Sequence, residues 1–119
     1  MPKDNLAYID HILKCIRKIR KFVKGIDKKE FARNEMLQDA VIRNFEVIGE
    51  ASKKITADFK KVYYDVPWKE ISGMRDKLIH DYLGVDIDVI WETIEQDLPV
   101  LLKALKKIDI QKSLPHGSL

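Results

Sequence analysis

The chain has 119 residues, of which 45% are apolar and 34% are charged. This length and balance are typical of one globular domain with a single hydrophobic core, and they exclude a disordered chain and a membrane-spanning one. The first 22 residues contain no apolar run long enough for a secretory signal, so we expect a cytoplasmic protein. The single cysteine, Cys15, excludes an internal disulfide and a thiolate zinc cluster, and its spacing predicts a small core residue.

Positive charge is concentrated near the N-terminus. Residues 1–29 hold nine Lys or Arg against three Asp or Glu, and the remainder holds 13 against 16. Lys14, Arg17, Lys18 and Lys21 recur at i, i+3, i+4 and i+7, which places them along one side of a helix. Such a stripe can follow nucleic-acid phosphates, and it is also common on ordinary solvated helices. The sequence leaves both interpretations open.

A helical period runs through every long segment, and no stretch alternates strictly enough to indicate a strand, so the predicted fold class is all-α. The first helix should begin near Asp4 and end at Gly25, a residue suited to the left-handed cap. Its inward positions are Leu6, Ile9, Leu13, Ile16 and either Phe22 or Val23.

The second predicted helix starts at Asp27, which forms a capping box with Glu30, and runs to about Lys54. More than half of its circumference is apolar, so it should be the central helix of the bundle. A glycine inside it, Gly49, predicts close approach of a neighbouring element, because a helix-interior glycine costs about 1 kcal/mol relative to alanine. The apolar positions are Leu37, Ala40, Val41, Phe45, Val47, Ile48 and Ala51.

Three further helices are predicted in the C-terminal half. A short one in TADFKKVYYDVP is capped by Thr56, and the next, PWKEISGMRDKLIHDY, takes Pro67 as its first helical residue and ends before Gly84. Asp86 and Asp88 open the last helix.

The last predicted helix contains Pro99, which should kink it by removing a backbone hydrogen bond. Short connections favour antiparallel neighbours, so the expected architecture is an antiparallel bundle of four main helices plus a short one. We place a single helical domain at residues 1–112 and a flexible tail at 113–119.

A combination of Arg75, His80 and Tyr82 lies near the end of the fourth predicted helix. Arg75 and His80 are five residues apart, so on a helix they point about 140° away from each other. In a structural interpretation the three side chains form an ordinary polar patch at the bundle end. In a chemical one the guanidinium binds a phosphate while the imidazole transfers a proton. Spacing alone does not decide between them.

From Phe31 to Leu101 the chain resembles the HepT family, within the HEPN class of helical domains that act on nucleic acids. The similar segments are DAVIRNFEVIGEASKKI at 39–55, VPWKEISGMRDKLIHDY at 66–82 and VIWETIEQDLPVL at 89–101. The family signature is an arginine, four residues, a histidine, any residue and a tyrosine, which falls here on Arg75, His80 and Tyr82.

The resemblance implies a HEPN-like fold and a toxin of a two-component module, acting as a metal-independent RNase. It implies that Arg75 and His80 are catalytic and that Asp76 matches the polar residue that often follows the arginine. It also implies a partner, a minimal nucleotidyltransferase antitoxin that silences the toxin by adenylylating Tyr82.

Metal-free RNA cleavage requires a base, an acid and a cation for the phosphorane, but each chain supplies one well-placed histidine. We therefore expect a two-fold homodimer that brings two copies of Arg75 and His80 to one cleft. No cofactor is expected, and no second histidine or cysteine lies at metal-ligand spacing around His80.

A polar line runs down the second predicted helix through Asp39, Arg43, Glu46 and Glu50 at i, i+4, i+7 and i+11. It would be costly to bury unpaired, so it either faces solvent or supports the Arg75 and His80 site, with Glu50 as the first choice.

The predicted function is therefore an RNase toxin with RNA-backbone contacts on the basic stripe. Two alternatives stay open: a catalytically silent interaction module bound or modified by the nucleotidyltransferase, and a plain helical adaptor. The sequence does not identify the RNA substrate.

Overall fold

A computed structural model describes residues 2–78 and 86–113 of the chain. Within these ranges the secondary structure is helical, with no strand, which confirms the all-α prediction. None of the described helices is long and apolar enough to cross a membrane. The elements in chain order are α1 Pro2–Val23, α2 Lys28–Ala32, α3 Glu35–Lys53, α4 Ala57–Val62, α5 Trp68–Ser72, α6 Met74–Leu78, α7 Ile87–Glu92, a π-helical segment Thr93–Asp97 and α8 Leu98–Ser113.

Helix α1 has one apolar face packed into the core and one charged face turned to solvent. It starts at Pro2, two residues before the predicted start, and Gly25 follows it with a φ of +79°, the left-handed conformation predicted for the cap. Val23 is partly buried while Phe22 is 40% exposed, so Val23 is the inward residue of that pair. The buried face consists of Ile9, Ile12, Leu13, Cys15, Ile16 and Ile19.

The predicted second helix is divided into α2 and α3, which corrects the single long helix expected from the sequence. Asp27 and Glu30 form the predicted capping box, but α2 ends at Ala32 and Asn34 caps α3 by accepting from the Leu37 N–H at 3.0 Å. The Gln38 amide stabilises the break by donating to the carbonyls of Phe31 and Ala32 at 2.8 and 3.1 Å. Because these side chains replace helical hydrogen bonds, the break is capped at both of its ends.

Helix α3 is the central helix, as predicted, and packs against α1, α2, α5 and α6. Gly49 faces the C-terminal end of α5: a Cβ built on it lies 3.5 Å from the Ile71 carbonyl oxygen and 3.6 Å from that of Ser72. The close neighbour expected from the sequence is therefore present, at a distance that leaves ordinary contact room for a methyl group.

The chain between α3 and α6 is held by side-chain hydrogen bonds at both ends of α4. Thr56 caps α4 as predicted, and it also exchanges two hydrogen bonds with buried Asn5 of α1, at 3.0 and 3.1 Å. At the other end the Trp68 indole donates to the Tyr63 carbonyl at 2.9 Å, and Phe59 packs against both rings. Since α4 buries no residue fully, these bonds and ring contacts fix its place.

The next predicted helix is also divided. Pro67 lies one residue before α5, as its N-cap, rather than at the first helical position, and Gly73 separates α5 from α6. The Gly73 N–H still donates to the Lys69 carbonyl at 3.0 Å, so the break is a change of path within a nearly continuous helix. The predicted end at Gly84 lies outside the described residues.

The last predicted helix begins as expected and becomes irregular just before its proline. Asp86 caps α7 by accepting from the Val89 N–H at 3.2 Å, and Asp88 in the first turn pairs with Lys28 of α2 at 2.6 Å. The π-helical segment Thr93–Asp97 ends immediately before Leu98 and Pro99. Proline lacks the N–H that donates a hydrogen bond in a regular helix. The wider π-helical turn lies directly before the position where this bond is missing.

We predict that Gly49→Ala raises the free energy of unfolding by about 0.4–1 kcal/mol. Gly49 is helical, its φ is not positive, and a methyl group meets only ordinary contacts, so alanine reduces the entropy of the unfolded chain without strain. Urea unfolding followed by circular dichroism measures the change. The control is Gly25→Ala, which should destabilise because Gly25 has a positive φ. Destabilisation by Gly49→Ala would show that α5 cannot accommodate the methyl group.

Candidate functional site

Helix α6 carries the first member of the Arg75, His80 and Tyr82 combination. Met74 and Leu78, four residues apart, are 5% and 0% exposed and anchor α6 in the core. Arg75 lies on this helix, where the structure describes its backbone but not its side chain, and the neighbouring Asp76 is exposed. His80 and Tyr82 lie outside the described residues. Their proposed chemistry therefore remains a prediction, while the position of the helix leading to them is defined.

The path of α5 and α6 over α3 is set by a buried hydroxyl pair that sequence reasoning missed. Ser52 is fully buried, and its Oγ lies 2.7 Å from the Oγ of Ser72 at the end of α5. Together with the close approach at Gly49, this hydrogen bond holds the chain just before α6. The spacing of Ser52, four residues after Ile48 on the apolar face of α3, was the available signal.

The polar line on α3 faces solvent, one of the two arrangements considered for it. Asp39, Arg43 and Glu50 are exposed and Glu46 is partly buried. The Glu50 carboxylate lies 3.9 Å from the Lys53 Nζ, one helical turn away. Glu50 was predicted to support His80. Because His80 lies outside the described part of the chain, this role stays a prediction.

The basic stripe is present as predicted. Lys14, Arg17, Lys18 and Lys21 are all exposed along one side of α1. Cys15 lies beside them but on the buried face, 4% exposed. Burial raises the pKa of the Cys15 thiol, while the positive charges of Lys18 and Arg43 act in the opposite direction. A buried thiol with a raised pKa is a poor nucleophile, in agreement with its predicted role as a core residue.

Two surface grooves flank the central helix. The first, which we call the α5–α8 groove, has a volume of about 510 Å³ and runs along α5 and α6. It is lined by Pro67, Glu70, Ile71, Gly73, Met74, Asp97, Val100 and Leu101. The second, which we call the α1–α3 groove, has a volume of about 340 Å³. It is lined by Tyr8, His11, Arg43, Val47, Glu50, Ala51 and Lys54. Both grooves have a mainly apolar lining; the first also carries two carboxylates, and the second carries the cations Arg43 and Lys54 with one carboxylate, Glu50.

The described residues contain no group of three or more His, Cys, Asp or Glu side chains arranged to hold a metal ion.

Comparison with known proteins gives concordant results. Residues 12–108 match the family model described as "Ribonuclease HepT-like". The chain is 42% identical over 108 residues to the "Probable ribonuclease HepT" of Thermococcus cleftensis, which covers 91% of this chain and 98% of the relative. It is 46% identical over 101 residues to the "Putative RNase TTE0752" of Caldanaerobacter subterraneus, covering 85% and 90% of the two chains.

A longer relative is the "Gamma-glutamylcyclotransferase and putative RNase MJ0434" of Methanocaldococcus jannaschii. It is 41% identical over 117 residues, which are 95% of this chain but only 53% of the relative. No solved structure matches the chain. The family match spans more than half of the sequence and includes the α6 helix together with Arg75, His80 and Tyr82. The chain belongs to the HepT-like ribonuclease family.

Proposed function

We propose that the protein is a metal-independent endoribonuclease in which Arg75 and His80 act on the scissile phosphate. One observation carries this proposal: the family match over residues 12–108 contains Arg75, His80 and Tyr82 at the signature spacing. The described structure supports it by placing Arg75 on a short helix anchored at Met74 and Leu78, beside an exposed Asp76. A helix held in this way gives a phosphate-binding guanidinium a rigid support.

The proposed reaction is transfer of the phosphate to the neighbouring 2′-oxygen. A base removes the 2′-hydroxyl proton, the 2′-oxygen bonds to phosphorus, and the 5′-oxygen leaves with a proton from an acid. The imidazole of His80 can take either role, since histidine side chains serve as both acids and bases, and Arg75 can balance the charge that develops on the phosphorane. One chain provides a single such histidine, so the proposed site contains residues of two chains.

The homodimer has a candidate surface in the α5–α8 groove. The groove borders the signature helix at Gly73 and Met74, and its opposite wall includes Val100, an apolar side chain that is 62% exposed. A second copy placed against this wall would bury apolar surface next to α6 and bring the two signature helices together. The groove is therefore a candidate interface for the proposed dimer, and substitutions in its wall can test that dimer.

Tyr82 is the proposed site of regulation. Its phenolic oxygen would attack the α-phosphorus of ATP in the nucleotidyltransferase partner, with release of pyrophosphate and of the phenolic proton. The attached AMP would place a phosphate and a base near Arg75, and so occupy the position of RNA. The module would then act as a toxin and antitoxin pair.

We predict that the wild-type protein is a dimer and that Val100→Asp shifts it towards the monomer at micromolar concentration, because a charge on the groove wall would be buried against the second copy. Light scattering measures the mass. Val62→Asp is the matched control, since Val62 on α4 is 69% exposed and lies outside the groove. A monomeric wild type would remove the argument for a site shared by two chains.

His80→Ala should reduce RNA cleavage at least about 100-fold, the usual effect of losing a positioned acid or base. Its melting temperature and helicity should stay close to those of wild type, because a residue of an open site contributes little to folding. The control is His116→Ala in the predicted tail, which should cleave like wild type. An unfolded His80→Ala protein would instead identify His80 as a structural residue.

Tyr82→Phe should fold normally and no longer accept AMP from the partner, because only the hydroxyl is removed. Mass spectrometry after incubation with ATP and the nucleotidyltransferase detects whole AMP units. Tyr64→Phe is the matched control, since Tyr64 is 83% exposed and should leave modification intact.

The cleavage rate of unmodified Tyr82→Phe separates two roles. A rate near wild type assigns Tyr82 to regulation alone, while a loss of about 100-fold, or about 2.7 kcal/mol of transition-state stabilisation, assigns it to catalysis as well. Equal modification of both proteins, with no cleavage by either on any RNA, would contradict the proposed function and favour a catalytically silent module.

A further inference from the structure

The α1–α3 groove combines a positively charged wall with an aromatic side chain. Its α3 side presents Arg43 and, at the C-terminal cap of the helix, Lys54, both of them exposed. Its α1 side presents Tyr8 and His11. Lys54 lies with its Nζ 5.9 Å from the centroid of the Tyr8 ring, so a cation and an aromatic ring are already in contact across the groove.

The hydrophobic core holds the Tyr8 side chain in place. The ring is partly buried and packs against the hydrophobic core, while Val47 and Ala51 contribute apolar surface to the same groove. A ring fixed in this way keeps its orientation when a ligand binds, so a flat aromatic group can stack on it with little loss of conformational freedom. At about 340 Å³ the groove is large enough for one unstacked nucleobase with its sugar.

The groove and the basic stripe meet at α1. Lys18 of the stripe and Arg43 of the groove both lie near enough to the Cys15 thiol for their charges to act on it. On α1, His11 and Lys18 are seven residues apart and differ by only about 20° in direction. From Tyr8 to Lys18 the helix rises about 15 Å. Lys14, Arg17 and Lys21 point about 120° to 180° away from Tyr8, so Lys18 is the stripe cation nearest in direction to the groove.

Acidic residues only partly offset this charge. Glu50 lines the groove, and its carboxylate lies 3.9 Å from the Lys53 Nζ. Asp10 on α1 takes part in an interaction of its own. Asp39 and Glu46 lie on the same side of α3 as Arg43, so the positive charge available to a polyanion is that of Arg43, Lys54 and the stripe on α1.

We propose that the α1–α3 groove and the α1 stripe form a binding path for single-stranded RNA, with backbone phosphates on Arg43, Lys54 and Lys18 and one base stacked on Tyr8. This inference rests on the proposed ribonuclease function and extends it to substrate recognition away from the α6 helix. A single strand is favoured over a duplex because only an unpaired base can leave its neighbours and stack on a protein ring.

The charge part of the proposal is tested by Arg43→Gln combined with Lys54→Gln. The probe is a fluorescent, 2′-O-methylated single strand of about 12 nucleotides, which lacks the attacking hydroxyl and so reports binding without cleavage. Anisotropy over a series of salt concentrations should give binding at least about 10-fold weaker than wild type. The slope of log K against log salt should fall by about 1.4, because two phosphate contacts at about 0.7 each are lost.

The matched control is Lys103→Gln combined with Lys106→Gln. Both lysines are exposed on α8, neither lines the groove, and the change in net charge is the same. This protein should keep the wild-type salt slope. If both double variants weaken binding equally, the effect is one of net charge and the proposed path is wrong.

The stacking part is tested by Tyr8→Phe and Tyr8→Leu. Phenylalanine retains the ring and should bind like wild type, whereas leucine fills the core contact without a stacking surface and should bind about 5- to 100-fold more weakly with an unchanged salt slope. Circular dichroism and melting temperature confirm that both variants fold. A Tyr8→Leu protein that binds as tightly as Tyr8→Phe would overturn the stacking contact.

The outcomes separate this inference from the proposed function. If wild type cleaves RNA but the Arg43 and Lys54 variant binds the probe as wild type does, the groove is not the path and the ribonuclease stands. If wild type cleaves no RNA but the variant still weakens probe binding, the ribonuclease fails and the RNA path stands. Tighter binding of a duplex than of the single strand would overturn the single-strand assignment.

Discussion

The close packing of α5 on α3 is the contact on which the candidate site depends. The end of α5 lies against Gly49 of the central helix, and the Ser52 and Ser72 hydroxyls are joined there by a hydrogen bond of 2.7 Å. Helix α6 begins directly afterwards, with Met74 buried, and so receives its position from α5. A buried hydroxyl left without its partner costs about 1–3 kcal/mol, which makes this pair a specific constraint and not merely a tolerated contact.

The α5–α8 groove and the α1–α3 groove differ in the charge of the side chains that line them. The α5–α8 groove, next to the signature helix, is mostly apolar and includes the carboxylates Glu70 and Asp97, which do not favour a polyanion. The α1–α3 groove carries Arg43 and Lys54 and joins the basic stripe. In physical terms the first surface suits contact with another protein surface, and the second suits nucleic acid. Two separate surfaces would allow RNA and a second protein chain to bind without competing for one site.

The breaks in the predicted helices show where local patterns stop being sufficient. Apolar periodicity continues across Asn34 and Gly73, so it predicts unbroken helices there. At Asn34 the structure ends the helix, and the Gln38 amide bound to the carbonyls of Phe31 and Ala32 satisfies the freed hydrogen-bonding groups. At Gly73 the helix changes its path while the Gly73 N–H still donates to the Lys69 carbonyl. At Pro99 the sequence predicted a kink, since the missing N–H is a property of the residue itself, but it did not predict the π-helical segment that precedes the proline.

The all-α class, the caps at Asp27, Thr56 and Asp86, and the basic stripe follow from the amino-acid sequence, because each depends on residues within one or two helical turns. The sequence also determined the family, through the ordered segments around Arg75. Which elements meet is seen only in the folded chain, in the Ser52 and Ser72 pair and in the groove where Lys54 lies over the Tyr8 ring. Those contacts join residues 20 and 46 positions apart, and no local period specifies how two helices are rotated and shifted against each other.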